Sequence, residues 1–388
     1  MSEKFETRAI RTQMERSKNS EHSSPLYLTS SFVFESAEDM SSAFAEEKKK
    51  NIYSRFTNPN TTELIQKISQ MEGAEDGVAF ASGMGAIYST FATFLNSGDH
   101  IVSCNAIFGS THTLFTKYFP RWNISTSYFP ISDLNIAESL IQQNTKCIYA
   151  ESPTNPGVDI IDLEAIGKLA KKHNILLIID NCFATPYLQK PISFGADLVI
   201  HSATKLLDGQ GRVLGGVTVG KKQLIEELFL FARNTGASLS PFNAWVLSKS
   251  LETLSLRVDR HSDNALKIAH QLEKQTNVNR VKYPFLKSHP QYHIAKKQML
   301  KGGNIISFEV EGGSQAARDF IDSIKMCSIS ANLGDSRTII THPASSTHTK
   351  LSEEERLKAG ITDGMIRLSV GLEHHEDIWN DIKNALKN

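Results

Sequence analysis

Cysteine is scarce in this sequence: 388 residues carry four, Cys104, Cys147, Cys182 and Cys327, spaced without a CxxC pair. Scattered thiols of this kind exclude a disulfide framework and a zinc ribbon, and they suit reduced core positions. Charge of one sign is missing too. Lys plus Arg and Asp plus Glu number 42 each, so no net field draws in nucleic acid or an anionic membrane surface. Apolar runs stop at strand length, far short of the roughly 20 residues that cross a bilayer. The opening MSEKFETRAI has no basic-then-apolar leader pattern. The expectation is a cytoplasmic protein with neither nucleic acid nor membrane as partner. No internal repeat or low-complexity tract is present, which excludes solenoids and disordered regulators. His342 and His348, in THPASSTHTK, have no third ligand at metal-binding spacing, so no metal is expected.

What the chain does have is enough length for two or three domains with sizeable cores. From about residue 57 to 245 short apolar runs alternate with helical periods, the pattern of an α/β fold with a mostly parallel sheet. The strand candidates are HIVSC at 100–104, KCIYAES at 146–152, ILLIID at 175–180, DLVIHS at 197–202 and GGVTVG at 215–220. Between the second and third lies DLEAIGKLAKKHN, with Leu163, Ile166, Leu169 and Ala170 at helical spacing and a basic last turn, which completes a βαβ unit. Residues 246–388 change texture. A long amphipathic stretch starting WVLSKSLETLSLRV predicts one long helix, and the alternating IISFEVEG and MIRLSVGLE predict a smaller α+β domain. Residues 1–56 show no sustained period, and their EEKKK run is expected to be a solvated face.

Ligands of open α/β sheets bind beyond the carboxyl ends of the strands, so the places where apolar runs stop are informative. ILLII stops at Asp180. DLVI stops at His201, Ser202, Ala203, Thr204 and Lys205, and CIYAE runs into SPTNPG, which holds Asn155. A carboxylate at a buried strand end is costly unless a cation faces it. Taken alone, Asp180 and Lys205 suggest a direct salt bridge. ASGMGAIYSTFATF argues for more, because Ser82, Gly83, Met84 and Gly85 open an apolar-periodic helix whose free amides form an anion site. Ser202 and Thr204 add hydroxyl donors. An anion site, a carboxylate and an isolated lysine describe a ligand with a phosphate, a protonatable ring nitrogen and a carbonyl carbon, which pyridoxal 5'-phosphate combines. In that arrangement Lys205 joins the aldehyde, Asp180 keeps the pyridine nitrogen protonated, and Asn155 donates to the ring oxygen. A nicotinamide dehydrogenase is the alternative from another class. Its GxGxxG fingerprint is incomplete here, since Tyr88 stands where the third glycine belongs.

The motifs YSRFTNPN, ASGMGAI, ESPTNP, IIDNCFATP, HSATKLLDGQG, HPASSTH and IRLSVGLE occur in this order along the chain. Together they resemble, over nearly its whole length, the pyridoxal-phosphate enzymes of cysteine and methionine metabolism. The resemblance implies the type I aminotransferase-like fold and a homotetramer built of dimers that share active sites. It implies that Lys205 carries the cofactor as a Schiff base, and that Asp180, Ser82, Gly83, Met84, Ser202 and Thr204 bind it. Tyr53 and Arg55 correspond to a pair that reaches the phosphate of the neighbouring subunit, so residues 1–56 serve that neighbour. Arg367 corresponds to the arginine that grips the substrate carboxylate.

Three departures bear on the reaction. Phe108, in IFGSTHTLF, stands where a tyrosine commonly stacks on the cofactor; its ring can stack but has no proton to give. LLDGQGR follows the lysine, and Asn332 in SANLGD stands beside the carboxylate site where a serine is frequent. The combination implies γ-replacement on O-succinylhomoserine by sulfide, giving homocysteine and succinate for methionine synthesis. The acetyl ester, replacement by cysteine and γ-elimination are the alternatives within the family. Arg212 is a candidate partner for the succinyl carboxylate.

Overall fold

The structure, a computed structural model, describes residues 3–349, 352–358 and 360–387. Its larger sheet holds β1 (Asp76–Phe80), β2 (His100–Cys104), β3 (Ser125–Phe129), β4 (Thr145–Glu151), β5 (Leu176–Asp180), β6 (Leu198–Ser202) and β7 (Gly216–Gly220), in the order β1-β7-β6-β5-β4-β2-β3. Strands β2 to β6 are mutually parallel, while β7 runs antiparallel to both its neighbours. Every residue of β2 and β7 is buried, as are all but the two ends of β5 and the last residue of β6. Burial on both faces is what made these strands legible as continuous Val, Ile and Leu runs.

The five expected strands fall within a residue of their predicted limits. Two were missed. β1 (DGVAF) is diluted by glycine and alanine, and β3 (STSYF) is an edge strand whose side chains are mostly not buried, so neither forms an apolar run. The reversed direction of β7 follows from its connection: Ala203–Gly215 contains no helix, and a parallel return needs a crossover.

A second sheet holds β8 (Val278–Lys282), β9 (Ile305–Val310), β10 (Ser328–Ile329), β11 (Ile339–Thr341) and β12 (Met365–Ser369), in the order β10-β11-β12-β9-β8. All its pairings are antiparallel except β10 with β11. Its apolar face shares a core with the helices Leu254–Leu272, Gly313–Ser323 and His375–Ala385, separate from the core of the large sheet. The expected long helix is two, Pro241–Leu251 and Leu254–Leu272. Arg257 interrupts the run by donating to the Ser250 carbonyl at 2.9 Å, a group that a continuous helix would have used itself. Among the described residues no helix is long and apolar enough to cross a membrane.

Residues 3–58 form two short helices, Phe5–Arg11 and Ala37–Phe44, joined by irregular chain. Polar side chains of the helix Pro59–Glu72 anchor this chain. Glu63 accepts from Met14 N–H at 3.0 Å and from the Ser24 hydroxyl, and Asn60 Oδ1 accepts from Tyr27 N–H at 2.8 Å. Lys67, fully buried, neutralises Glu63 at 3.3 Å and Glu252 at 3.4 Å and donates to the Ser248 carbonyl. Removing one partner of a buried ion pair strands the other. Lys67→Met is therefore expected to lower unfolding stability by about 3 kcal/mol in urea titration; parental stability would contradict this role for Lys67.

Candidate active site

Three parallel strands deliver the site. β4 ends at Glu151, β5 at Asp180 and β6 at Ser202, and Glu151 lies in register with Asp180, so two carboxyls emerge side by side at the carboxyl edge of the sheet. Asp180 Oδ1 accepts the Cys182 N–H at 2.9 Å. The Tyr149 hydroxyl stands 3.5 Å from both Asp180 Oδ2 and Glu151 Oε1. Among the described residues no cation is bonded to Asp180; His201 on β6 is engaged instead with Glu72 at 3.0 Å. Burial therefore pushes the Asp180 carboxyl up to about 6. Burial raises Glu151 well above the carboxylate range, and the Asp180 charge adds to that rise.

Lys205 is not the missing cation. Its Nζ donates to Asn332 Oδ1 at 2.7 Å rather than to Asp180. Burial first, and the charge of Arg367 after it, hold the ammonium below the ordinary lysine range. Asn332 is bound at two points, because its carbonyl, with that of Ala331, accepts from Arg367 Nη2 at 3.0 Å. Arg367, on β12 and 3% exposed, also donates through Nη1 to Asn155 Oδ1 at 3.1 Å. Lys205 and Asn155 follow strands of the large sheet, whereas Asn332 and Arg367 come from the second. One hydrogen-bonded set thus spans both sheets.

An anion cradle lies beside it. The helix Gly83–Phe94 is capped by Ser82, whose hydroxyl accepts from Gly85 N–H at 3.0 Å. The amides of Gly83 and Met84 have no hydrogen-bond partner among the described residues. Close approach requires small residues here: a Cβ on Gly83 would fall 2.7 Å from Ser202 Cβ, and one on Gly216 would fall 2.1 Å from the Ser82 carbonyl oxygen. The Thr204 hydroxyl accepts from Gly215 N–H at 3.1 Å, which fixes the turn between β6 and β7. A carboxylate in need of a cation, amides in need of an anion and a lysine of weakened basicity fit the three poles of pyridoxal phosphate.

Phe108 begins the short helix Gly109–Thr113; its ring is 39% exposed and its N–H donates to Glu151 Oε1 at 2.6 Å. Tyr53 and Arg55 lie exposed on the surface and make no bond to the other candidates among the described residues. The Arg55 guanidinium sits over the Tyr53 and Phe56 rings and donates to the Arg233 carbonyl. His342 bonds Ser345 and the Asp363 carbonyl, each at 2.8 Å.

Arg212, the candidate for the succinyl carboxylate, is engaged within its own segment. Its Nε and Nη2 donate to Asp208 Oδ1 at 3.0 and 2.8 Å, and Nη2 also donates to Ser250. Asp208 is fully buried, so this guanidinium is committed to neutralising it and braces the segment after Lys205. Glu151 and Tyr149 were overlooked in the sequence. Glu151 ends an apolar run just as Asp180 does, so the signal that identified one applied equally to the other.

Residues 6–387 match the family profile described as Cys/Met metabolism PLP-dependent enzyme. The chain belongs to this family. It is 46% identical over 382 residues to an O-succinylhomoserine sulfhydrylase of Pseudomonas aeruginosa, covering 98% of this chain and 95% of that protein. It is 44% identical over 366 residues to an L-methionine gamma-lyase of Fusobacterium nucleatum, covering 94% and 93%. A solved Campylobacter jejuni structure described as an O-acetylhomoserine (thiol)-lyase superposes with a TM-score of 0.95 at 36% identity, covering 99% of this chain and 100% of its own. That structure holds N'-pyridoxyl-lysine-5'-monophosphate at its position 205. Like the rest of the family, this enzyme depends on pyridoxal phosphate, and it has the type I fold.

The carboxyl shift has a measurable consequence. With its folded pKa raised above the ordinary 3.8, Asp180 stabilises the cofactor-free protein fully only below the unfolded value, and that contribution is lost as pH rises through about 6. Cofactor-free Asp180→Asn is expected to melt above the parent at about pH 8, with the gap closing toward about pH 4. Equal melting temperatures at both pH values would contradict this placement.

Proposed function

We propose that this enzyme carries out γ-replacement on O-succinylhomoserine with sulfide, releasing succinate and forming homocysteine. The observation that carries the choice is Phe108. Pyridoxal phosphate supplies an electron sink for negative charge at the substrate α-carbon. Lys205 would hold the cofactor aldehyde and, once displaced by the substrate amine, take the Cα proton on Nζ; its lowered basicity supports both tasks. Asp180 would keep the pyridine nitrogen protonated. The Gly83 and Met84 amides, with Ser82, Ser202 and Thr204, would hold the phosphate. Arg367 would bind the substrate carboxylate, for which a planar guanidinium is well suited. Asn155 spends its oxygen on Arg367, which leaves its amide N–H groups for the ring oxygen. Asn332 would aim the Lys205 amine between turnovers.

Phe108 would cover one face of the ring. Lacking a hydroxyl, it cannot protonate a departing group. A carboxylate, with a conjugate acid of pKa about 4, departs without help, whereas an alkyl thiolate is a far more basic leaving group and gains more from an acid. That difference favours an ester over methionine as substrate, in agreement with the sulfhydrylase relative at 46% identity. The lyase relative at 44% identity supports a second reading, γ-elimination from methionine. The exposure of Tyr53 and Arg55 supports a role outside their own subunit, at the phosphate of a neighbour in a homotetramer, with residues 1–56 as the extension that delivers them. Residues 57–245 would then form the cofactor-binding domain and 246–388 the smaller one.

The test compares kcat/KM for O-succinylhomoserine, O-acetylhomoserine and L-methionine, offering sulfide, cysteine or methanethiol as acceptor. Homocysteine formed from the succinyl ester and sulfide, at least ~10-fold ahead of the other combinations, is expected. Methionine consumed faster than either ester, yielding a keto acid and methanethiol, would replace this reading with the lyase.

A further inference from the structure

Glu151 is a buried carboxyl that the chemistry above does not use. It sits one strand from Asp180, in register with it, and is 5% exposed. A single pyridinium can answer one carboxylate, so a second charge in the same enclosure would compete with Asp180 for it. Among the described residues, the other groups that act on Glu151 are not cations: Tyr149 Oη on its own strand at 3.5 Å, the Cys104 thiol at the end of β2, and Asp180. What Glu151 does hold is the Phe108 N–H, at 2.6 Å. The helix that Phe108 begins has no side-chain cap of its own, so this bond ties the end of the β2 loop to the end of β4.

We propose that Glu151 is a positioning residue, whose carboxyl hooks the Phe108 amide and thereby sets the Phe108 ring against the cofactor. Burial and the adjacent Asp180 push its carboxyl well above the ordinary carboxylate range, and Oε1 accepts from the Phe108 N–H. Glutamine reproduces both the shape and the accepting oxygen, while leucine removes the hook. The inference rests on the reading that Phe108 covers the cofactor.

The experiment titrates the cofactor-free protein with pyridoxal phosphate, following visible absorbance, in four variants. Phe108→Ala and Glu151→Leu are each expected to weaken cofactor affinity ~10-fold, and Glu151→Gln by no more than ~3-fold. The double variant Phe108→Ala/Glu151→Leu should bind no more weakly than Phe108→Ala alone, because the hook acts through the ring. Multiplied losses in the double variant, or a Glu151→Gln loss as large as that of Phe108→Ala, would overturn the inference. The glutamine result decides the matter if the leucine variant does not fold. Parental affinity in Glu151→Leu beside weakened Phe108→Ala would remove this inference alone. Parental affinity in Phe108→Ala would remove the reading beneath it as well.

Discussion

A carboxylate with no cation of its own governs this site. Asp180 ends a buried parallel strand, where solvation is poor; neither Lys205 nor His201 is bonded to it, and the His201 charge offsets only part of the effect of burial. A protein that leaves such a group without a bonded cation in the cofactor-free state offers a binding site for positive charge, which on the proposed reading the pyridinium of the cofactor would supply. The cost of burying Asp180 would then reappear as selectivity for a ring that can be protonated. The same arrangement leaves Lys205 without an anion and lowers its basicity, the condition for an amine that acts as nucleophile and base.

Around that charge the two sheets divide the work. The large sheet contributes the strand ends and the helix start that would face the cofactor. The second sheet contributes Arg367 and, through the loop between β10 and β11, Asn332. Arg367 bonds to Asn155 on one side and to the Ala331 and Asn332 carbonyls on the other, so this arginine and the end of the large sheet cannot move independently. Behind Lys205, Arg257 and Arg212 lock the LLDGQGR segment: Arg257 donates to the Leu206 carbonyl at 2.8 Å, and Arg212 neutralises buried Asp208. The lysine is therefore held from in front by one residue and from behind by a braced loop.

Much of this was legible in the sequence, for a physical reason. Strands buried on both faces appear as unbroken apolar runs, so the polar residues at their ends stand out, and Asp180, Ser202 and Lys205 were found that way. Glu151 was marked by the same signal and passed over. Arg367 and Asn332 were not legible from local pattern, because what distinguishes them is a contact between sheets far apart in the chain. They came only through family resemblance, as did Tyr53 and Arg55, whose surface positions carry no local mark. Arg212 was an open candidate in the sequence, and only tertiary structure revealed that it pairs with the buried aspartate four residues before it. The helix break at Glu252–Thr253 has a similar origin, since the side chain that claims the Ser250 carbonyl lies in the next helix.

The central claim is that the charge of Asp180 is answered by the cofactor ring nitrogen. Nitrogen NMR of the holoenzyme, reconstituted with cofactor enriched in nitrogen-15 at that atom, measures this directly. A protonated ring nitrogen in the parent at about pH 8, lost in Asp180→Asn, is the predicted result. An unprotonated nitrogen in the parent, or one indifferent to the substitution, would contradict it.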